Sequence, residues 1–100
     1  NDIMVLYQIS FLQYRLKRFN EAMTSADIII ANDVANEAKI LFPKEDETEL
    51  EVALKTAALR LKAMVYEAQG NVLEATKIYK EVLLISPEFD LVKKQLQDLN

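Results

Sequence analysis

The 100-residue chain contains neither cysteine nor histidine. Disulfides, thiol chemistry, imidazole general bases and Cys/His zinc sites are excluded together. Glycine occurs once and proline twice. An all-β domain needs a turn roughly every 8–12 residues, most of them built from Gly, Pro, Asn or Asp, so this supply argues against that class. Gly70 stands alone, so there is no glycine-rich loop to cradle a phosphate. Apolar runs such as Ile28-Ile29-Ile30-Ala31 are far too short to span a bilayer, and no signal peptide is visible. Basic residues are outnumbered, the net charge being −4, which disfavours non-specific attraction to nucleic acid. A hydrophobic fraction of 51% with 28% charged residues describes one small domain with a thin core. With no signal peptide, spanning segment or cysteine in the sequence, a cytoplasmic location is the expectation. Asn1 is not a Met and an amphipathic pattern is running by Ile3, so the chain reads as a piece of a longer protein.

Helical periodicity accounts for most of what is present. Ile3, Leu6, Ile9 and Leu16, with Tyr7, Phe11 and Tyr14 between them, follow the three- and four-residue spacing of a helix with a broad apolar face. Arg15, Lys17 and Arg18 sit at its end, where cations favour the negative pole of the helix dipole. An anion-binding role for the same three is the competing reading. Asn20 is read as the N-cap of a second helix carrying Ala22, Met23, Ala26, Ile29, Ile30, Val34 and Ala38, expected to run to Phe42 before Pro43 stops it. Asn32-Asp33 is the point where it would bend or end early. An acidic loop is placed over 43–49, its carboxylates read as a solvated helix start rather than a metal site. A third helix from Leu50 ends at Gly70, a residue able to take the left-handed conformation. Asn71, with Glu74 three residues on, caps a fourth, and Ser86-Pro87 opens a last helix over 87–99.

Leu59, Ala63, Tyr66, Gly70, Ala75, Tyr79, Val82 and Pro87 form the pattern L-x3-A-x2-Y-x3-G-x4-A-x3-Y-x2-V-x4-P. This resembles a tetratricopeptide repeat, a helix–turn–helix unit. Lys62 departs from it, standing where the family has Leu, and is expected at an edge with its stem over apolar surface. Phe19, Glu21 and Ala22 are similar to the start of a second helix in the same family, although Gln13 and Ala26 stand where aromatic residues are usual. Ala22 and Ala75 lie 53 positions apart, against the usual repeat of about 34 residues, so an insertion or an extended helix separates the two pairs. The resemblance implies an all-α fold over residues 1–100: helix pairs at 3–42 and 50–85 stacked as a short right-handed α-solenoid with a C-terminal capping helix.

Carried over residue by residue, the family's inner-face positions are Tyr7, Gln8, Phe11, Tyr14 and Arg15 from the first pair. The second pair contributes Arg60, Leu61, Met64, Glu67 and Ala68. The resemblance therefore implies a non-catalytic adaptor, scaffold or co-chaperone-like module that docks a peptide or helix in a concave groove, with no cofactor and no metal. Filling of the core by Tyr7, Phe11 and Met64 is the competing reading. Chaperone-binding members hold a C-terminal carboxylate with Lys and Asn at positions occupied here by Tyr7, Phe11, Arg60 and Met64. Only Arg60 among these suits a carboxylate, which disfavours that clamp. A second function class stays open: a structural subunit that packs on further repeats or associates with a second copy. No nucleophile motif or paired-carboxylate pocket points to an enzyme.

Overall fold

The first helix, α1 (Asp2–Arg15), buries Ile3, Tyr7 and Ser10 on one side, as the four- and three-residue spacing dictates. Residues 2–99 are described by the structure, a computed structural model. At the end of α1 the Lys17 N–H donates to the Tyr14 carbonyl (3.0 Å) and the Arg18 N–H to the Gln13 carbonyl (2.8 Å). These two bonds define a Schellman corner, and Lys17 occupies its left-handed position with φ 62°. The chain enters α2 (Phe19–Ala31) directly, with Arg18 at the N-cap and no side-chain cap. Asn20 is thus inside the helix, not its cap as expected, and its carbonyl accepts from the Thr24 hydroxyl at 3.0 Å. Small residues set the approach of the two helices. The Ser10 hydroxyl donates to the Ala22 carbonyl at 3.0 Å, and Ser25 donates to Gln13 at 2.9 Å.

Helix α2 stops at Ala31, eleven residues short of the expected end at Phe42. Asn32 turns extended (φ −92°, ψ 123°) and its side chain accepts from the Val34 N–H at 2.9 Å, trading the helix for a 3-10 turn over Asp33–Asn36. An antiparallel hairpin follows, β1 (Lys39–Pro43) and β2 (Glu49–Ala53), with Ile40 opposite Val52 and Phe42 opposite Leu50. The sequence alternates on both strands. Ile40, Phe42, Leu50 and Val52 face inward, while Lys39, Leu41, Glu49 and Glu51 are exposed. That period-two pattern, with Pro43 at a strand end, overrides the helical spacing of Val34, Ala38 and Phe42. The acidic loop over 43–49 is therefore mostly hairpin turn, closed by the Lys44 N–H on the Thr48 carbonyl (2.9 Å), and the third helix starts four residues later than expected.

Helices α3 (Leu54–Ala68) and α4 (Val72–Ile85) form the second helical hairpin. Its corner repeats the geometry of the first: the Gly70 N–H donates to Glu67 (3.0 Å) and the Asn71 N–H to Tyr66 (2.9 Å), with Gly70 at φ 81°. Asn71 caps α4 by accepting from the Glu74 N–H at 3.3 Å. Ala63 and Ala75 are fully buried where the two helices meet. The last helix, α5 (Asp90–Asp98), opens at Asp90 after Phe89 and not at Pro87, because Ser86 closes α4 and the Phe89 N–H returns to the Ser86 carbonyl (3.1 Å).

Helix α3 is the centre of the molecule. Leu54, Ala57, Ala58, Leu61 and Val65 are fully buried, and the helix packs against α1, α2, α4 and both strands. A Cα radius of gyration of 12.7 Å matches the roughly 13 Å of a compact domain of this length, so the hairpin folds back on the helices and does not project. The architecture is mostly helical, the described residues forming five α-helices, one 3-10 turn and a two-stranded sheet, and the sheet is the departure from the all-α expectation. Lys62 lies half-buried between α3 and α2, where its ammonium meets Asp27 at 2.9 Å.

Candidate functional site

Along α1, Tyr7, Phe11 and Tyr14 recur at a spacing of four and three, so one face of the helix presents three rings in a row. The corner at Lys17 adds a fourth by bringing Phe19 alongside. Ring centres are 6.3 Å apart for Tyr7 and Phe11, 5.9 Å for Phe11 and Tyr14, and 6.2 Å for Tyr14 and Phe19, all tilted or edge-on. Tyr7 is buried, whereas Phe11, Tyr14 and Phe19 remain half-exposed. A shallow hollow of about 190 Å³ opens at the far end of this ladder, lined by Tyr14, Arg15, Lys17, Phe19 and Ala68.

Arg60 belongs to the other, closed end. Its Nε donates to the Gln95 side chain at 2.9 Å. Its guanidinium lies over two rings, 5.4 Å from the centre of Phe42 and 5.9 Å from that of Phe89. The two rings are themselves 4.8 Å apart. Among the described residues Arg60 has no carboxylate partner. Burial lowers its pKa from the ordinary value, opposed by the neighbouring Tyr7, Tyr79 and Tyr14, yet a guanidinium stays charged. Arg60 thus ties α3 to the hairpin and to α5. The clasp is reinforced outside by Lys44 on Glu88 (3.3 Å) and by the Glu45 N–H on Asp90 (3.0 Å), which holds the Asp90 carboxyl below the usual range. Tyr79 is fully buried and donates to the Glu67 carboxylate at 2.8 Å.

The residues expected to line a groove therefore separate into two groups. Tyr7, Arg60, Leu61 and Met64 are buried, Leu61 completely. Gln8, Arg15, Glu67 and Ala68 are exposed, with Phe11 and Tyr14 between these extremes. Lys17 joins the exposed group and Phe19 the half-exposed one, although neither was expected there. Only a corner tight enough to fold Phe19 back on Tyr14 places them so, and a positive φ at a lysine leaves no mark in the sequence. Phe42, Phe89 and Gln95 were also unexpected neighbours of Arg60, since they come from the inserted hairpin and the last helix.

Among the described residues no three acidic side chains are arranged to hold a metal ion, and no helix is long and apolar enough to cross a membrane. Asp46 of the acidic segment is occupied locally, accepting from both the N–H and the hydroxyl of Thr48. Set against known protein families, curated proteins and solved structures, the chain matches none.

Proposed function

We propose that this chain is a non-catalytic protein-interaction module of the tetratricopeptide type, an adaptor, scaffold or co-chaperone-like unit. In this reading its two helical hairpins stack as a short right-handed solenoid with α5 as the cap. The ligand is a peptide or helix lying along the rings of α1. The observation behind the reading is the half-exposed ladder of Phe11, Tyr14 and Phe19 ending in a hollow flanked by Arg15 and Lys17. Aromatic side chains and Arg are the residues that dominate binding energy at protein interfaces, because they desolvate large rigid surfaces at low entropic cost. An apolar anchor seated against Tyr14 and Phe19, with an acidic neighbour facing Arg15 and Lys17, is the ligand chemistry this surface suits. The two corners with the same hydrogen-bond geometry, 53 positions apart, support the repeat reading.

The test compares capture of proteins from cell extract by the parent chain and by the Phe11→Ala/Tyr14→Ala double variant. Loss of two such anchors is expected to weaken binding by at least tenfold, since each is worth about 1–2 kcal/mol. Arg60 is left intact because removing a buried group held by Gln95, Phe42 and Phe89 would perturb the fold itself. Undiminished capture by a variant of normal helicity would refute the ladder as the docking surface. The alternative reading, a structural subunit whose apolar faces pack on further repeats or on a second copy, is favoured by one separate observation, a row of exposed aliphatic residues on the opposite face of α1.

A further inference from the structure

Val5, Ile9, Leu12 and Leu16 are 49%, 43%, 53% and 58% exposed. At 100° per residue they fall within an arc of about 60°, centred about 180° from the ring face of the same helix. The Leu16 N–H still donates to the Leu12 carbonyl at 2.9 Å, so helical geometry extends to the last of the four. Their separations of four, three and four are those of alternating d and a positions in a heptad, the narrow seam by which one helix packs on another. Outer helix faces elsewhere in the fold lack this continuity. The matching row on α4 is Leu73, Lys77, Lys80 and Leu84, whose two central lysines keep it in water.

We infer that the outer face of α1 is a self-association surface that pairs with α1 of a second copy, antiparallel, about a two-fold axis between Ile9 and Leu12. Self-complementarity selects the occupant and charge selects the direction. Antiparallel seams layer a against d, which puts Ile9 on the second copy's Leu12 and Val5 on its Leu16, so all four residues are covered by the same four. The helix starts with Asp2 and ends with Arg15, Lys17 and Arg18. Antiparallel pairing sets the acidic start beside the basic end of the second copy and opposes the two helix dipoles favourably. Flanking the seam, Gln8 meets Arg15 of the second copy, so no like charges face each other. A parallel pair would bring six cations together. One pair of short helices buries roughly 1,000 Å² in total, the lower limit for a specific interface, so a reversible, concentration-dependent dimer is expected. It leaves the ring face of α1 open and is independent of peptide docking.

Sedimentation velocity over loading concentrations of roughly 1 to 500 µM tests it. The parent is expected to pass from monomer to dimer, and Leu12→Lys to remain monomeric throughout with unchanged far-UV circular dichroism. Because the chain has no cysteine, single-cysteine variants read the orientation. Val5→Cys mixed with Leu16→Cys is expected to give a mixed disulfide on mild oxidation, each variant alone giving little. A parent that stays monomeric overturns the inference and leaves this face to another partner. A Leu12→Lys protein that still dimerises overturns it in favour of another surface, and self-crosslinking of Val5→Cys alone overturns the antiparallel arrangement.

Discussion

Replacing Lys17 measures how strongly the first helical hairpin depends on its corner. Lys17 holds φ 62° and Gly70 holds φ 81° at the same position of two Schellman corners. A side chain with a Cβ in the left-handed region crowds the following carbonyl at a cost of roughly 1–2 kcal/mol, which glycine avoids. Glycine also gives the unfolded chain more freedom, which takes back about 0.5–1 kcal/mol. The net preference for Gly over Ala at either corner is therefore about 1 kcal/mol. Lys17→Gly alone mixes this with the loss of a cation at the helix end, so Lys17→Ala is the proper reference. At Gly70 a Cβ would meet nothing within 4 Å, so Gly70→Ala reports backbone conformation without steric contact. Thermal and urea unfolding followed by circular dichroism should place Lys17→Gly above Lys17→Ala, and the parent above Gly70→Ala. Each difference should be about 4–8 °C for a domain of this size. Measurements at low micromolar concentration keep self-association out of the comparison. Equal stability of Gly and Ala at both corners, or an Ala preference at Lys17, would refute the reasoning, since it would mean that the left-handed corner is not the conformation populated.

Two further predictions follow from the core. Phe42→Ala, which strips one of the two rings under Arg60, should cost about 3–4 kcal/mol in urea unfolding, as for other buried aromatic truncations, and a loss under about 1 kcal/mol would show the hairpin to be a passive insert. Burial, and then the hydrogen bond to Glu67, raises the Tyr79 phenol above its ordinary 10.0. Holding the phenol neutral supplies stability that is complete below pH 10 and is lost as the pH rises above that value towards the raised one. The melting temperature should accordingly fall above pH 10, and less so in Tyr79→Phe. Tyr7, raised by its own burial, keeps part of the slope in that variant. A parent melting temperature independent of pH between 10 and 12 would overturn the burial of these phenols.

The local sequence was sufficient where structure satisfies itself locally. The residue spacing of α1, α3 and α4, the glycine at the second corner and the Asn71 cap are all recognisable because a helix makes its hydrogen bonds within its own segment, and caps and corners act over a few residues. Residues 32–53 obey a different rule. Val34, Ala38 and Phe42 fit one helix face, while Ile40, Phe42, Leu50 and Val52 fit the inner face of a hairpin, and either reading is consistent with the residues themselves. Tertiary structure settled it. A strand completes its hydrogen bonds on another segment, here ten residues on, and Phe42 gains its burial from Phe89 and Arg60, far away in sequence. The same distinction divides the candidate site. That Tyr7, Phe11 and Tyr14 share a face follows from helical spacing alone. That Tyr7, Leu61 and Met64 are buried, that Phe11 and Tyr14 stay half-open, and that Phe19 completes the row were decided by what packs around them, because burial is a property of neighbours and not of a residue's own position in the chain.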